Sequence, residues 1–139
     1  MGRRMVYRFM GLEVYGFIQS WEWFISLEIY VITKAFPSDE KFGLTSQLRR
    51  AASSIGDNLA EGTGKLTAKD KAKYTTIAFG SAMETVNHLI GSLDLAYIKD
   101  EDYRSLREKL EVITRLLTRL HNSQMNGTGN GSYSSKIST

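Results

Sequence analysis

Residues 100–121, DEDYRSLREKLEVITRLLTRLH, decide the fold: Tyr103, Leu106, Leu110, Ile113, Leu117 and Leu120 recur at spacings of three, four, three, four and three. A seven-residue apolar repeat marks a helix packed along its length against other helices. Asp100 is placed to cap it, and the helix is predicted over about 101–121. Working backward, Thr67 followed three residues later by Asp70 resembles a capping box and opens a helix over about 68–97. Its inner side is expected to carry Tyr74, Ile77, Ala78, Ser81, Ala82, Leu89, Ser92 and Ala96. Gly80 and Gly91 each cost about 1 kcal/mol against alanine in a helix, which predicts a close-packed neighbour at both.

Leu44, Leu48, Ala52, Ile55 and Leu59 form another stripe at helical spacing, giving a helix over about 44–61, with Gly62 and Gly64 as its stop. Before it, residues 12–36 are apolar on nearly every side, through Tyr15, Phe17, Ile18, Phe24, Ile25 and Ile29. Pro37 ends that helix. One bundle has one core, so the surplus, Trp21, Trp23 and Val31 among it, points to a subunit interface or to an unusually wrapped first helix, the interface being favoured. Four helices joined by short connections make an all-α, antiparallel up-down four-helix bundle. The chain then divides into an N-terminal extension over 1–11, the bundle over 12–121 and a disordered polar tail over 122–139, rich in Asn, Gly, Ser and Thr.

The 139 residues suit one domain, and 42% hydrophobic content supplies its core. A formal charge of +3 and a pI near 9.2 are mildly basic, permissive for nucleic acid. With no cysteine there is no disulfide, thiolate metal site or cysteine nucleophile, and a cytoplasmic location is the expectation. Arg3, Arg4 and Arg8 precede an apolar stretch, but Glu13, Gln19, Glu22 and Glu28 interrupt it. It reads as a buried helix, neither an export signal nor the roughly 18 apolar residues of a membrane span.

Chemistry-bearing motifs are few. Gly62-Thr63-Gly64-Lys65-Leu66-Thr67 has Leu66 where a phosphate-binding loop needs Ser or Thr, and follows a helix rather than a strand. Di-iron bundles need several Glu-x-x-His pairs, whereas this chain has two histidines, and His88 falls four after Glu84. A Glu84–His88 pair along one helix is the expected arrangement. No serine stands in a nucleophile elbow. We therefore expect no catalytic residue, no metal and no cofactor. What remains is basic: Arg49 and Arg50 in the second helix, Lys65, Lys69, Lys71 and Lys73 about the start of the third, and Arg104, Arg107, Arg115 and Arg119 along the fourth. Such clusters bind phosphates with release of counterions. The plainer alternative is a solvated face with local pairs, such as Glu111 with Arg115.

Residues 36–62, FPSDEKFGLTSQLRRAASSIGDNLAEG, followed by Ile77-Ala78-Phe79-Gly80-Ser81 with Glu84 and by Leu95-Ala96-Tyr97-Ile98, resemble the four-helix-bundle family of the 23S rRNA intervening-sequence proteins. The resemblance covers about Phe9 to His121. It implies an up-down bundle assembling as a ring-shaped homo-oligomer, a pentamer being the expected count, with a role in binding ribosomal or other structured RNA and no enzymatic activity. The chain also looks related to the accessory variability-determinant bundle proteins of diversity-generating retroelements, which engage nucleic acid and a reverse transcriptase. Matched residue by residue, the family signature falls on Gln47, Arg49, Arg50, Asn58 and Glu61, with Glu84 in the third helix. Asn58 and Glu61 are expected to fix helix register. Arg49 and Arg50 point about 100° apart, so one at most turns inward. The chain departs from the family at Gly56, where proline is usual, at Thr85, where leucine is usual, and by about four extra residues in the first helix.

The expected protein is a cytoplasmic homo-oligomer that binds structured RNA or DNA through Arg49 or Arg50, Lys65, Lys69, Lys73, Arg104, Arg107, Arg115 and Arg119. The alternative is a protein-binding scaffold, for example an accessory subunit of a reverse transcriptase, that holds no nucleic acid itself.

Overall fold

A computed structural model describes the backbone of residues 13–137 and the side chains of residues 14–126; the 1–11 extension lies outside the described residues. It contains four helices, α1 (Glu13–Thr33), α2 (Leu44–Thr63), α3 (Ala68–Asp94) and α4 (Asp100–Ile137), with a single 3-10 turn at Ser38–Glu40 and no strand among the described residues. Each helix packs on the next in sequence and α1 also packs on α4, whereas the backbones of α1 and α3, like those of α2 and α4, stay apart across the core. The four therefore enclose one core, with α1 diagonal to α3.

The fourth-helix repeat is that core's spine. Leu106, Leu110, Ile113 and Leu117 are all fully buried, against Ile18, Ile25 and Ile29 of α1, Leu48, Ile55 and Leu59 of α2, and Ala78, Ala82 and Leu89 of α3. Burying each large aliphatic side chain contributes about 1.5–3 kcal/mol, so this stripe supplies a large share of the packing energy.

Helix ends follow local chemistry. α1 stops at Thr33, three residues before the expected Phe36, and its last turn unwinds through i to i−3 bonds as far as Phe36. At α2 the glutamate of the 3-10 turn acts as a remote cap: Glu40 Oε2 accepts from the Leu44 N–H (2.9 Å). That helix runs two residues past Glu61, to Thr63. Thr67 Oγ1 accepts from the Asp70 N–H at the start of α3 (3.1 Å), as the sequence predicts. Its other end falls at Asp94 rather than Tyr97, because Ala96 takes φ 59° and Tyr97 N–H bonds back to the Ser92 carbonyl (2.9 Å), a Schellman turn built on alanine.

Three expectations are corrected. Ile77 and Ala96, assigned to the inside of the third helix, are exposed, and the stripe runs instead through Ala72, Thr75, Ala78, Ala82, Thr85 and Leu89. The polar tail expected from Asn122 is helical as far as Ile137. Its first residues belong to the bundle because Gln124 falls four beyond Leu120 on the same stripe. There it is buried, donating to the Tyr15 hydroxyl of α1 and accepting from Thr75 Oγ1 of α3 (2.8 Å). Gly80 and Gly91 are likewise not explained by the bundle: a Cβ at either meets nothing within 4 Å. Between α2 and α3 the close approach lies at Gly62, where a Cβ would come 3.1 Å from Tyr74 Cβ.

Candidate nucleic-acid interface

The nine basic residues do not form one surface. Arg49 turns inward: its Nε donates to Thr33 Oγ1 (2.8 Å), its Nη2 reaches the Tyr30 carbonyl (3.4 Å), and the guanidinium lies over the Tyr30 ring at 4.2 Å. It clasps α2 to the end of α1, and is spent on the fold. Arg50, one residue and about 100° on, is exposed and lines an open groove between α2 and α3 with Gln47, Ser54, Glu84 and His88.

Gln47, Arg50 and Glu84, all from the family-like signature, thus meet in one place, joined by His88. The pair expected along α3 is formed, with Glu84 Oε1 3.4 Å from His88 Nε2. Beneath the groove Asn58 Nδ2 donates to the Ser54 carbonyl (2.8 Å) and hydroxyl (3.0 Å), while the Ser54 and Ser81 hydroxyls meet across the helix pair at 2.9 Å. Asn58 thus reaches α3 only by way of Ser54. Glu61 instead faces solvent and pairs with Lys65 (3.4 Å).

The α2–α3 junction supplies the lysines. Lys65 packs its ammonium over Tyr74 (5.0 Å), and Tyr74 first, then Glu61, hold that ammonium above its ordinary pKa, so it is charged at neutral pH. Lys71 is consumed as a cap, donating to the Thr63 carbonyl at the end of α2 (3.2 Å). Lys69 and Lys73 are exposed and make no ion pair among the described residues. Glu84 follows Lys73 by eleven positions, within about 20° on the helix. The lysines and the Arg50 groove therefore share the α2–α3 side.

The α4 arginines lie elsewhere, since α4 stands diagonally across the core from α2. Arg104 pairs with Asp100 (3.0 Å) and Arg107 with Glu111 (3.5 Å). The expected Glu111–Arg115 ion pair is thus replaced: Arg115 Nε reaches only the Glu111 carbonyl (3.3 Å). Arg115 and Arg119 border a groove with Phe79 and Met83 of α3. Exposed pairs of this kind contribute about 0–1 kcal/mol, so a phosphate displaces them at little expense.

Sequence reasoning missed Glu22, among the described residues the one buried acid, 7% exposed. The signal was present: Glu22 stands on the stripe Ile18, Glu22, Ile25, Ile29. Among the described residues no three His, Cys, Asp or Glu side chains gather as a metal would require, and no helix is long and apolar enough to cross a membrane.

A crystal structure from Bacteroides thetaiotaomicron, described as a protein of unknown function from the S23 ribosomal protein family, shares the fold. It matches with a TM-score of 0.71 at 22% identity, over 78% of this chain and 98% of that one. None of the curated proteins compared with the chain matches it. The model of one family matches residues 23–119, most of the bundle and all of the Arg50 groove. The chain belongs to the 23S rRNA-intervening sequence proteins.

Proposed function

We propose that this protein is a non-enzymatic, cytoplasmic up-down bundle that self-associates into a ring and holds structured RNA on its α2–α3 side. The observation that carries the RNA reading is the placement of Arg50, Lys65, Lys69 and Lys73 on one side of the bundle, with Lys69 and Lys73 in no ion pair among the described residues. Phosphate contacts from such residues release counterions, so affinity falls steeply with salt. Arg115 and Arg119 extend the surface only if neighbouring copies bring a second side into line. The test is titration of a structured RNA at rising salt. Replacing Arg50, Lys69 and Lys73 together by glutamate should weaken binding about tenfold or more and flatten the salt slope. Absence of binding at low salt, or binding indifferent to the triple variant, overturns the reading.

Self-association is supported by α1. Phe17, Trp23, Phe24, Leu27, Tyr30 and Val31 are each 45–63% exposed, presenting about 700 Å² of mostly apolar surface, close to one partner's share of a standard interface. Across the bundle, on diagonal α3, Ile77, Met83 and Ile90 are also exposed. Two different faces on opposite sides suit head-to-tail contact, which closes into a ring when the rotation allows. Native mass measures it: Phe24→Ser with Val31→Ser should yield monomers.

The same aromatic face of α1 supports a second reading, a scaffold that docks a foreign helix. Co-purification of a defined protein without nucleic acid, lost in the same double variant, would favour it.

A further inference from the structure

Glu22 occupies a core position that an aliphatic residue would fill more favourably, and the fold makes special room for it. Its carboxylate lies against α2 at Gly56, where any Cβ would come 2.4 Å from Oε2 and 2.9 Å from Cδ. Oε1 accepts the Ser26 hydroxyl. Oε2 accepts no hydrogen bond from the described residues. Because no fully buried side-chain polar atom of the described residues lacks a partner, Oε2 keeps its contact with the open cavity of about 530 Å³ that Glu22 lines between α1 and α2.

That cavity is rich in acceptors. Asp57 of α2 lines it without an ion pair among the described residues, and the Ser20 and Ser53 hydroxyls donate to their own helices, to the Gly16 and Arg50 carbonyls, leaving oxygen lone pairs for a ligand. Among the described residues no lysine or arginine lines it. Trp23 and Phe24, 62% and 63% exposed, form an aromatic wall. Two carboxylates, hydroxyl acceptors and aromatic faces recognise a donor that is positively charged and partly apolar. A bare metal ion fits less well, since no third acidic or imidazole ligand is present among the described residues.

We propose that this cavity is a binding site for an organic cation, whose ammonium or guanidinium group sits between Glu22 and Asp57 and packs its stem on Trp23 and Phe24. The group comes from a free polyamine or from a basic side chain of a neighbouring copy; the chemistry recognised is the same. The site is separate from the α2–α3 side proposed for RNA, and its test contains no nucleic acid.

Burial, and secondarily the charge of Asp57, raise Glu22 from an ordinary 4.5 to about 6, against the lowering influence of Ser26. Asp57 is the other ionisable side chain lining the cavity, and it faces Glu22 from α2. An unliganded Glu22 is therefore part-protonated in mildly acidic solution, and a bound cation draws the proton off.

The experiment is calorimetric titration of the full chain at constant ionic strength, with spermidine in one arm and N-acetyl-arginine amide in the other, at pH 7.5 and pH 5. The expected result is saturable binding of one probe molecule per chain, weakened about tenfold or more at pH 5. Glu22→Gln, which keeps the side-chain shape, should reduce affinity about tenfold and abolish the pH dependence. Gly56→Ala, which displaces the carboxylate, should reduce affinity too. Spermidine binding that leaves the native mass unchanged identifies a free cation as occupant. Binding of the arginine probe with a fall in native mass identifies the side chain of a second copy. No saturable heat from either probe beyond a matched potassium chloride control, or wild-type affinity in a folded Glu22→Gln variant, overturns the proposal.

Discussion

Glu22→Gln should stabilise the unliganded protein at neutral pH, an unusual outcome for a buried polar side chain. The sign follows from the raised pKa. A carboxyl that titrates near 6 when folded and near 4.5 when unfolded favours folding in its protonated form. Its contribution is fully present below pH 4.5 and is lost as pH rises through 6. By neutral pH the ionised group costs about 2 kcal/mol relative to its acid form. Glutamine retains an oxygen for the Ser26 hydroxyl and removes the charge. Its amide nitrogen, placed where Oε2 touches the cavity, remains in reach of water, so most of the gain survives.

Urea denaturation at pH 4.5, 6 and 7.5 measures this as the difference between wild type and variant, which cancels all other titrating groups. The difference should be near zero at pH 4.5 and should approach about 2 kcal/mol in favour of the variant at pH 7.5, roughly 6–10 °C in Tm. A variant that loses stability at pH 7.5, or a difference that does not change with pH, refutes the reasoning: Glu22 would then be paired rather than stranded.

Arg49→Ala removes the stacking on Tyr30 and the bond to Thr33, and should cost about 1–2 kcal/mol in the same assay, with Arg49→Lys recovering less than half because an ammonium replaces neither the fork nor the planar stack. Gln124→Ala leaves the buried Tyr15 hydroxyl and Thr75 without their shared partner and should cost about 2 kcal/mol. Cutting the chain after Asn122 should do the same, which tests by Tm whether the bundle extends past His121. Gly80→Ala meets no neighbouring atom in the monomer and should raise its stability by about 1 kcal/mol. If a second copy packs its helix there, the same change should lower the native mass.

The fold was legible where side-chain spacing alone carries the signal. Leu106, Leu110, Ile113 and Leu117 are buried because a helix of this register has no other apolar side to offer. Composition misled at the C-terminus, since Asn and Ser after His121 look like a tail, yet position on the stripe, not polarity, decides whether Gln124 enters the bundle. For the candidate site, the signature pointed at Gln47, Arg50 and Glu84 without showing that they converge, because that depends on α2 and α3 pairing across more than 30 positions. Arg49 was equally opaque: its partners Tyr30 and Thr33 lie 19 and 16 residues away.

The adjacent residues Glu22 and Trp23 bear on function together. They point about 100° apart, so a chain selected for the stability of a lone bundle would place tryptophan at position 22 and glutamate at position 23. That arrangement would bury a large aromatic surface, a gain of a few kcal/mol at about 25 cal/mol per Å², and would put the carboxylate in water. This chain does the reverse, leaving Trp23 62% exposed and Glu22 7% exposed, with Gly56 reserved to accommodate the acid. A local rule broken twice in succession, with a compensating glycine on the facing helix, is expected at a functional site rather than in a passive wall. If that inference holds, exchanging the two residues (Glu22→Trp with Trp23→Glu, and Gly56 retained) abolishes cation binding and self-association together. A change that affects stability alone would return α1 to the role of simple packing.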